Sequence, residues 1–140
     1  HPVAIAEDYK LNLIVCAQFD TLGQTFSAVY KIDLVASNHD LATAPIKRIL
    51  PQTSDLNKPD RKYTGAAVFY DNSYLIARTG PNNSNLIDPD NSLLRFETKN
   101  DGLTDTLIGR VPLLSPTSTG ILSVNNVSCI KSFNKRKSIK

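Results

Sequence analysis

The chain has 140 residues, of which 41% are hydrophobic and 21% charged, and its formal net charge is +3. These values are typical of one globular domain, and so small a charge argues against a nucleic-acid-binding protein. No apolar run approaches the ~20 residues that a membrane-spanning helix needs. Trp and Met are absent, so a core has to be built mainly from Val, Ile, Leu and Ala.

The positive charge is concentrated at the C-terminal end of the chain. Only Phe133 offers an aromatic stacking partner there, so we interpret residues 134–140 as a solvated basic tail and expect no nucleic-acid partner. The sequence starts at His1 without an initiator Met, which indicates a processed chain or an excised piece. The cations of the last ten residues are Lys131, Lys135, Arg136, Lys137 and Lys140.

Two cysteines, Cys16 and Cys129, lie in apolar stretches far apart in the sequence. Two cysteines are too few for a disulfide framework, although a single bridge between them stays open. Each occupies an alternating position within a predicted strand, so we expect buried free thiols.

The first third of the chain is predicted to form four short strands. Short apolar runs are separated by polar turn residues, and Phe26 to Leu34 alternates with the period of two of a half-buried strand. In the turn DTLGQT, Gly23 is the expected positive-φ residue. The predicted strands are Pro2–Asp8, Leu11–Phe19, Phe26–Leu34 and Ile46–Leu50.

After the polar linker QTSDLNKPDR, the same order of strands is predicted again. A third unit then starts with TGILSV and continues, after Asn125-Asn126, with VSCIKSF. We therefore divide a single β region, residues 1–140, into blade-like units at 1–51 and 63–112 and a partial one at 117–133. The strands predicted for the second unit are Thr64–Asp71, Ser73–Gly80, Ser92–Glu97 and Thr106–Pro112.

Related positions recur at a regular spacing. Leu13 and Leu75 are 62 positions apart, as are Arg48 and Arg110 in the segments IKRILP and LIGRVP. Four short strands that recur at such intervals are typical of β-propeller blades, whose repeats run ~40 to 50 residues and here carry longer loops.

The phrase DNSYLIARTGPNNSNLIDPDNSLLRFETKNDG resembles the blades of NHL-like six-bladed β-propellers, above all those of exported lipoproteins of Bacteroidetes-type bacteria. The resemblance covers 64–112 well, 2–51 partly and the region after residue 119 only in its first strands. The long loop of the 80s and the connection at 35–45 depart from the short-loop pattern. The resemblance implies an all-β propeller fold and an extracytoplasmic location, in the periplasm or at the cell surface.

Two and a half blades cannot close a ring, and propellers avoid bare edges by closing. We therefore expect an incomplete propeller, part of a longer protein, with self-association through open strand edges. The alternative fold is a single β-sandwich or barrel built from the same strands.

The sequence carries no arrangement of residues that is typical of an enzyme. GxSxG, HExxH, P-loop and CxxC motifs are absent, and the two histidines, His1 and His39, lie at a terminus and in a predicted loop. We therefore expect a protein that is not an enzyme and that needs no cofactor.

The loop from Gly80 to Asn91 is rich in oxygen donors. Asp88, Asp90 and Asn91 could supply part of a calcium shell, because Ca²⁺ prefers hard oxygen ligands. The loop lacks the spacing and the bidentate Glu of an EF-hand, and Asx turns explain the same residues.

Arg78 ends an apolar strand directly before this loop and shares a predicted strand face with Tyr74 and Ile76. A cation and an aromatic ring at one rim can recognise a carboxylate or stack on a sugar. We assign Tyr74, Arg78, Asn82 and Asn83 to ligand binding. The alternative for Arg78 is a structural salt bridge to Asp71 or Glu97.

Three functions follow as hypotheses. The first is an exported, non-enzymatic propeller whose loops bind a glycan, a peptide or a partner protein. The second is a hydrolase or lactonase with one central Ca²⁺ held by several blades. The third is a structural piece of a larger surface assembly, with its edges paired to another chain. We favour the first, because no catalytic arrangement of residues was found.

Overall fold

A computed structural model of the chain describes residues 1–98, 105–117 and 120–123. The described residues form ten β-strands and one short 3₁₀ turn, Thr53–Asp55, so the predicted all-β class is confirmed. Within these ranges, no helix has the length and apolar character that crossing a membrane requires. The strands build two four-stranded antiparallel sheets and one separate hairpin.

The first sheet contains the strands in chain order. Alternate residues of β2 are buried, as expected for a strand with one face on the core. The β2–β3 hairpin has a two-residue turn in which Leu22 and Gly23 both have positive φ, of 52° and 77°. This is the conformation of a type I′ turn, whose twist matches that of the flanking strands. The strands are β1 (Pro2–Glu7), β2 (Asn12–Thr21), β3 (Gln24–Asp33) and β4 (Ile46–Leu50).

The second sheet repeats this meander with the next four strands and is followed by a hairpin of β9 and β10. The strand at 114–117 was not predicted, because SPT reads as a turn. The predicted strand VSCIKSF and the basic tail 134–140 lie outside the described residues. The strands are β5 (Lys62–Val68), β6 (Tyr74–Thr79), β7 (Ser92–Thr98), β8 (Asp105–Pro112), β9 (Leu114–Thr117) and β10 (Gly120–Ser123).

The hydrophobic core combines side chains from both four-stranded sheets. Strand β5 contacts β1, β2 and β3, and the Tyr74 and Phe96 rings stack with centroids 5.4 Å apart. No closed barrel forms among the described residues, since each four-stranded sheet keeps two edge strands. The assignment of these sheets to propeller blades stays a prediction. The core residues are Ile14, Cys16, Val29, Ile49, Leu50, Tyr63, Val68, Tyr74, Ile76, Leu94 and Phe96.

A buried lysine joins the two sheets through a polar contact. Lys31 of β3 lies 2.7 Å from a carboxylate oxygen of Asp105 and donates to Thr98 Oγ1 at 2.8 Å. Asp105 also accepts a hydrogen bond from the Tyr74 hydroxyl, and the lysine ammonium lies 5.2 Å from the centre of the Tyr74 ring. Side-chain exposure is 5% for Lys31 and 1% for Asp105, so this ion pair is shielded from water.

The core position of Cys16 leads to a prediction about its reactivity. Burial raises the pKa of this free thiol to about 12, and its Sγ lies 3.6 Å from the Gly65 carbonyl oxygen. Because the thiolate is the reactive form, we expect Cys16 in a Cys129→Ser variant to resist iodoacetamide at pH 8 until the protein is unfolded in urea. Modification of the folded protein at the rate of the urea-unfolded chain would contradict the buried position.

Candidate functional site

Two connections meet at one end of the molecule. The β4–β5 connection, residues 51–61, and the β6–β7 loop, residues 80–91, leave from the same end because successive strands run antiparallel. Hydrogen bonds and ion pairs between Arg61 and the loop carboxylates hold the two segments together. The loops that were predicted separately therefore form one surface.

Arg61 is the residue that links these segments. Its guanidinium contacts Asp55 Oδ1 at 2.5 Å, Asp88 Oδ2 at 3.2 Å and Asp90 Oδ1 at 2.8 Å. It also donates to the backbone carbonyl of Asp88 at 2.9 Å. The side chain is only 3% exposed, so one buried cation binds carboxylates from both segments.

Arg78 completes this buried cluster from β6. Its guanidinium lies 2.5 Å from Asp88 Oδ1 and 3.3 Å from Asp55 Oδ1. It also donates to the backbone carbonyls of Pro89 and Asp90, at 2.9 and 3.1 Å. A planar guanidinium with five N–H donors suits this arrangement better than a lysine, because several acceptors surround it in fixed directions.

Two further cations and a tyrosine hydroxyl contact the carboxylates at the edge of the cluster. Arg110 and Lys58 contact Asp88 at 3.3 and 3.9 Å. The Tyr63 hydroxyl lies 3.3 Å from Asp55 Oδ2, and burial, together with the Asp55 charge, raises the pKa of Tyr63. Buried charges are tolerated only when they are paired and hydrogen-bonded, and this cluster meets both conditions.

Beside the cluster lies a cleft of about 300 Å³ between the two connections. This is at the lower end of the volume range of small-ligand sites. Eight of its ten lining residues carry polar or charged side chains, and Arg61, Asp88 and Asp90 of the cluster are among them. One wall is lined by Asn57, Lys58, Pro59, Asp60 and Arg61, and the other by Pro81, Asn82, Asn85, Asp88 and Asp90.

Asparagine side chains shape the β6–β7 loop. Asn82 Oδ1 accepts from the backbone N–H of Ser84 at 3.1 Å, and Asn85 Oδ1 accepts from that of Ile87 at 3.0 Å. These are Asx turns, which the sequence offered as an explanation of the loop. None of these bonds uses the amide N–H donors of Asn82 or Asn85, and both residues are exposed.

The residues predicted to bind a ligand are divided between different environments. Tyr74 and Arg78 share the inner face of β6, as the alternation predicted, but they are 0% and 1% exposed. They therefore form no exposed rim. The alternative, a structural salt bridge of Arg78, is found, but with Asp55 and Asp88 as partners and not with Asp71 or Glu97. Asp71 pairs instead with Arg95, at the surface.

Asn82 and Asn83 lie on the loop, but only one of them lines the cleft. Asn82 is exposed and belongs to the loop wall. Asn83 is half-buried, and its Oδ1 accepts from the backbone N–H and the side-chain N–H of Asn91, both at 3.0 Å. Asn83 therefore stabilises the loop from inside.

The residues predicted to hold calcium are engaged with other groups. Cations contact both carboxylate oxygens of Asp88, and Asp90 binds Arg61 and the backbone N–H of Asn82. Asn91 Oδ1 accepts from Thr79 Oγ1 at 2.7 Å. No group of three or more His, Cys, Asp or Glu side chains that could hold a metal occurs in the described part of the chain. The calcium site stays a prediction, and it would require Asp88 to leave its arginines.

Sequence reasoning missed Arg61 and Asp55 of the buried cluster. Both fall in the polar stretch that was interpreted as a linker, where charged residues are usually solvated. It also assigned no role to the cleft residues Asn57, Lys58, Asp60 and Asn85. The sequence did offer one indication of a charged cluster, because acidic and basic residues are dense in DLNKPDRK. This segment connects the fourth predicted strand to the fifth. That signal does not identify the carboxylates that Arg61 binds.

Gly80 is predicted to be essential for the position of Asp90. A Cβ atom at residue 80 would lie 2.6 Å from Asp90 Oδ2 and 2.7 Å from its Cβ. The Asp90 side chain cannot move away without losing Arg61, so we expect Gly80→Ala to destabilise the fold by about 1–3 kcal/mol in urea denaturation. The matched variant Gly109→Ala places its Cβ no closer than 3.9 Å to Arg95 and should cost much less. Equal losses for the two variants would contradict this packing.

Asp88 is expected to make the free energy of unfolding depend on pH in the acidic range. Burial alone would raise the pKa of Asp88, but the hydrogen bond from Arg78 and the charges of Arg78, Arg61 and Arg110 outweigh it and lower the pKa below the usual 3.8. A carboxyl with a lowered folded pKa contributes stability above its unfolded pKa, and this contribution is lost as pH falls through the folded pKa. We therefore expect the free energy of unfolding to decrease below about pH 4 more steeply in the wild type than in Asp88→Asn.

The control for this measurement is Asp71→Asn. The pKa of Asp71 is also lowered, by hydrogen bonds from Ser73, but its side chain is 59% exposed and water screens its pairing with Arg95. Urea denaturation between pH 2 and 6 gives the free energy of unfolding at each pH. The slope of this free energy against pH should change less in Asp71→Asn than in Asp88→Asn. An unchanged acid slope in Asp88→Asn would contradict the role of Asp88.

Comparison of the chain with protein-family models, with curated proteins and with solved structures gave no match. The residues and distances of the cleft are therefore the basis for a proposed function.

Proposed function

We propose that the chain is a non-enzymatic, extracytoplasmic binding module whose cleft accepts a glycan. The observation that carries the proposal is the lining of the cleft, in which side-chain amides occur on both walls, at Asn57, Asn82 and Asn85. An amide offers a carbonyl acceptor and two N–H donors, the combination that recognises the hydroxyl groups of a sugar.

Two of the five charged residues that line the cleft, Lys58 and Asp60, support a hydroxyl-rich, uncharged ligand. Lys58 supplies donors and Asp60 supplies acceptors on the same wall, so neither sign of charge dominates. A strongly anionic or cationic ligand would meet a like charge from one of them. A sugar hydroxyl can both donate and accept, so it can use both residues.

The buried cluster supports binding because it holds the walls in place before a ligand arrives. Arg61 joins Asp55 of one connection to Asp88 and Asp90 of the other, and all these contacts are 3.2 Å or shorter. Walls that are already ordered avoid the entropy loss of ordering loops on binding. The cluster itself has a structural role in this proposal.

The test is a screen of the full chain on an array of immobilised oligosaccharides, followed by titration calorimetry with the best soluble hit. The double variant Asn82→Asp/Asn85→Asp keeps the Oδ1 acceptors of the Asx turns and removes the amide donors, so it should bind at least tenfold more weakly. Asn38→Asp, an exposed residue in the loop at the opposite end, makes the same chemical change and should bind normally. Absence of any bound oligosaccharide, or equal binding by the double variant, would refute the proposal.

A second function, a structural part of a larger assembly, is favoured by one observation. The outer face of the first sheet carries two neighbouring rows of apolar and aromatic side chains. One row is Ile5, Val15 and Tyr30, and the other is Leu13, Ile32 and Ile46. Ile5 and Ile46 are 59% and 61% exposed. Contiguous apolar surface of this kind often marks a protein interface. Light scattering would show association that Ile5→Lys abolishes, whereas a wild-type monomer would exclude self-assembly through this face.

A further inference from the structure

Strand β4 is an edge strand with a second cavity beside it. Within the described ranges, β4 pairs with β3 and with no other strand, so one side of its backbone is unpaired. The cavity has a volume of about 610 Å³ and shares no lining residue with the glycan cleft. It is bordered by Lys47, Arg48, Ile49, Pro51, Gln52, Thr53, Leu56 and Asp105.

Two exposed cations, Lys47 and Arg48, stand on this edge. In register, Lys47 lies opposite Lys31 and Arg48 opposite Tyr30, so successive side chains place a positive charge on each face of the strand. Neither cation forms an ion pair with a described residue, whereas the buried Lys31 is neutralised by Asp105 at 2.7 Å. Asp105 borders the cavity but is therefore not available to neutralise Lys47.

The charges decide what can pair with the edge. Unpaired strand edges are templates for another strand, and recognition by strand addition uses backbone hydrogen bonds for affinity and side-chain contacts for specificity. Pairing with a second copy of β4 would bring four cations together, two from each strand. Like charges that face each other across a strand pair are destabilising. A strand with carboxylates on both faces would meet Lys47 and Arg48 with opposite charge.

We propose that the free edge of β4 binds an extended acidic peptide segment of a partner protein as a fifth strand of the first sheet. The cavity provides room along the edge for the added strand, with Ile49, Pro51 and Leu56 as an apolar border. Carboxylates of the segment pair with Lys47 and Arg48. This site is independent of the glycan cleft and functions whether or not a glycan is bound.

The test uses fluorescence anisotropy with three labelled, N-acetylated peptides. The first carries adjacent Glu-Asp pairs separated by pairs of Val, so that carboxylates point to both faces of the added strand. The second replaces the acidic residues by Lys, and the third is the acidic peptide N-methylated at every residue, so that neither of its edges can donate. We expect the acidic peptide to bind, with an affinity that falls as salt is raised, and the Lys peptide not to bind. N-methylation should abolish binding, because it removes the donors of the strand pairing.

The matched variants locate the site on the protein. Lys47→Gln/Arg48→Gln should weaken binding of the acidic peptide about tenfold or more, whereas Lys10→Gln/Arg95→Gln, which removes two exposed cations elsewhere, should bind as the wild type does. Equal weakening by both double variants would overturn the proposal and indicate general charge attraction. Undiminished binding of the N-methylated peptide, or no binding of the acidic peptide, would also overturn it.

Discussion

Replacing Arg78 by Met is expected to lower the free energy of unfolding by about 3–5 kcal/mol, the usual cost of breaking a buried ion pair by removing one partner. Arg78 is 1% exposed and contacts Asp88 at 2.5 Å and Asp55 at 3.3 Å. Methionine fills a similar volume but leaves these carboxylates with fewer cations and leaves the carbonyls of Pro89 and Asp90 without their donor. Urea denaturation monitored by circular dichroism measures the loss.

The matched control is Arg95→Met. Arg95 pairs with Asp71 at 3.2 Å, but the two side chains are 45% and 59% exposed, so the pair should contribute less than about 1 kcal/mol. Arg78→Lys should recover only part of the loss, because a lysine ammonium cannot reach acceptors in the directions that the planar guanidinium serves. An Arg78→Met loss as small as that of Arg95→Met would show that the cluster does not stabilise the fold.

Replacing Lys31 by Met is expected to produce a loss of similar size, about 3–5 kcal/mol, because it also removes one partner of a buried ion pair. Lys31 is the cation that neutralises Asp105, whose side chain is 1% exposed. Without Lys31, Asp105 keeps the hydrogen bond from the Tyr74 hydroxyl but no opposite charge, and the polar link between the two sheets is lost. The same denaturation experiment measures this change.

Two further variants test this explanation. Lys31→Met/Asp105→Asn removes both charges and keeps an oxygen that can accept from Tyr74, so it should recover a large part of the stability lost in Lys31→Met. Lys47→Met, at the register neighbour of Lys31 on the exposed edge strand, should change stability by less than about 0.5 kcal/mol. A double variant that is no more stable than Lys31→Met would contradict an unpaired buried carboxylate as the cause.

Both sheets bury a basic side chain that is ion-paired, Lys31 in the first and Arg78 in the second. Burial of Ile14, Cys16 and Val29 on the first sheet is apolar and follows directly from alternation along the strands. The second sheet buries Arg78 on the same face as Tyr74 and Ile76, so its packing depends on carboxylates supplied by the two connections. Variants of the connections at 51–61 and 80–91 should therefore affect the second sheet more than the first.

The strands and their order could be predicted from the sequence because their determinants are local. The alternation from Phe26 to Leu34, the punctuation by Asn, Asp, Gly and Pro, and the positive φ expected of Gly23 all depend on neighbours within a few residues. Pairing of consecutive strands as antiparallel neighbours then gives a meander, which both four-stranded sheets show. Strand β9 was missed because Ser115-Pro116-Thr117 has the composition of a turn.

The site could be predicted only in part, since its decisive contacts are long-range. The Asx turns of Asn82 and Asn85 are local and follow from residue type. The partners of Arg78 are 10 and 23 positions away, and those of Arg61 are up to 29 positions away. Several carboxylates were available to each arginine, and the sequence alone does not distinguish among them.

The sequence by itself therefore determined an all-β chain of short antiparallel strands with an Asx-rich loop before β7. Only the tertiary structure decided that the polar linker and this loop meet, that Arg78 and Tyr74 face the interior, and that Asp88 and Asp90 bind arginines. The physical reason is that strand formation depends on local periodicity, whereas the environment of a charge depends on which distant groups exclude water from it. Arg78 was predicted to bind a ligand at the surface, but in its buried position it binds carboxylates of the fold.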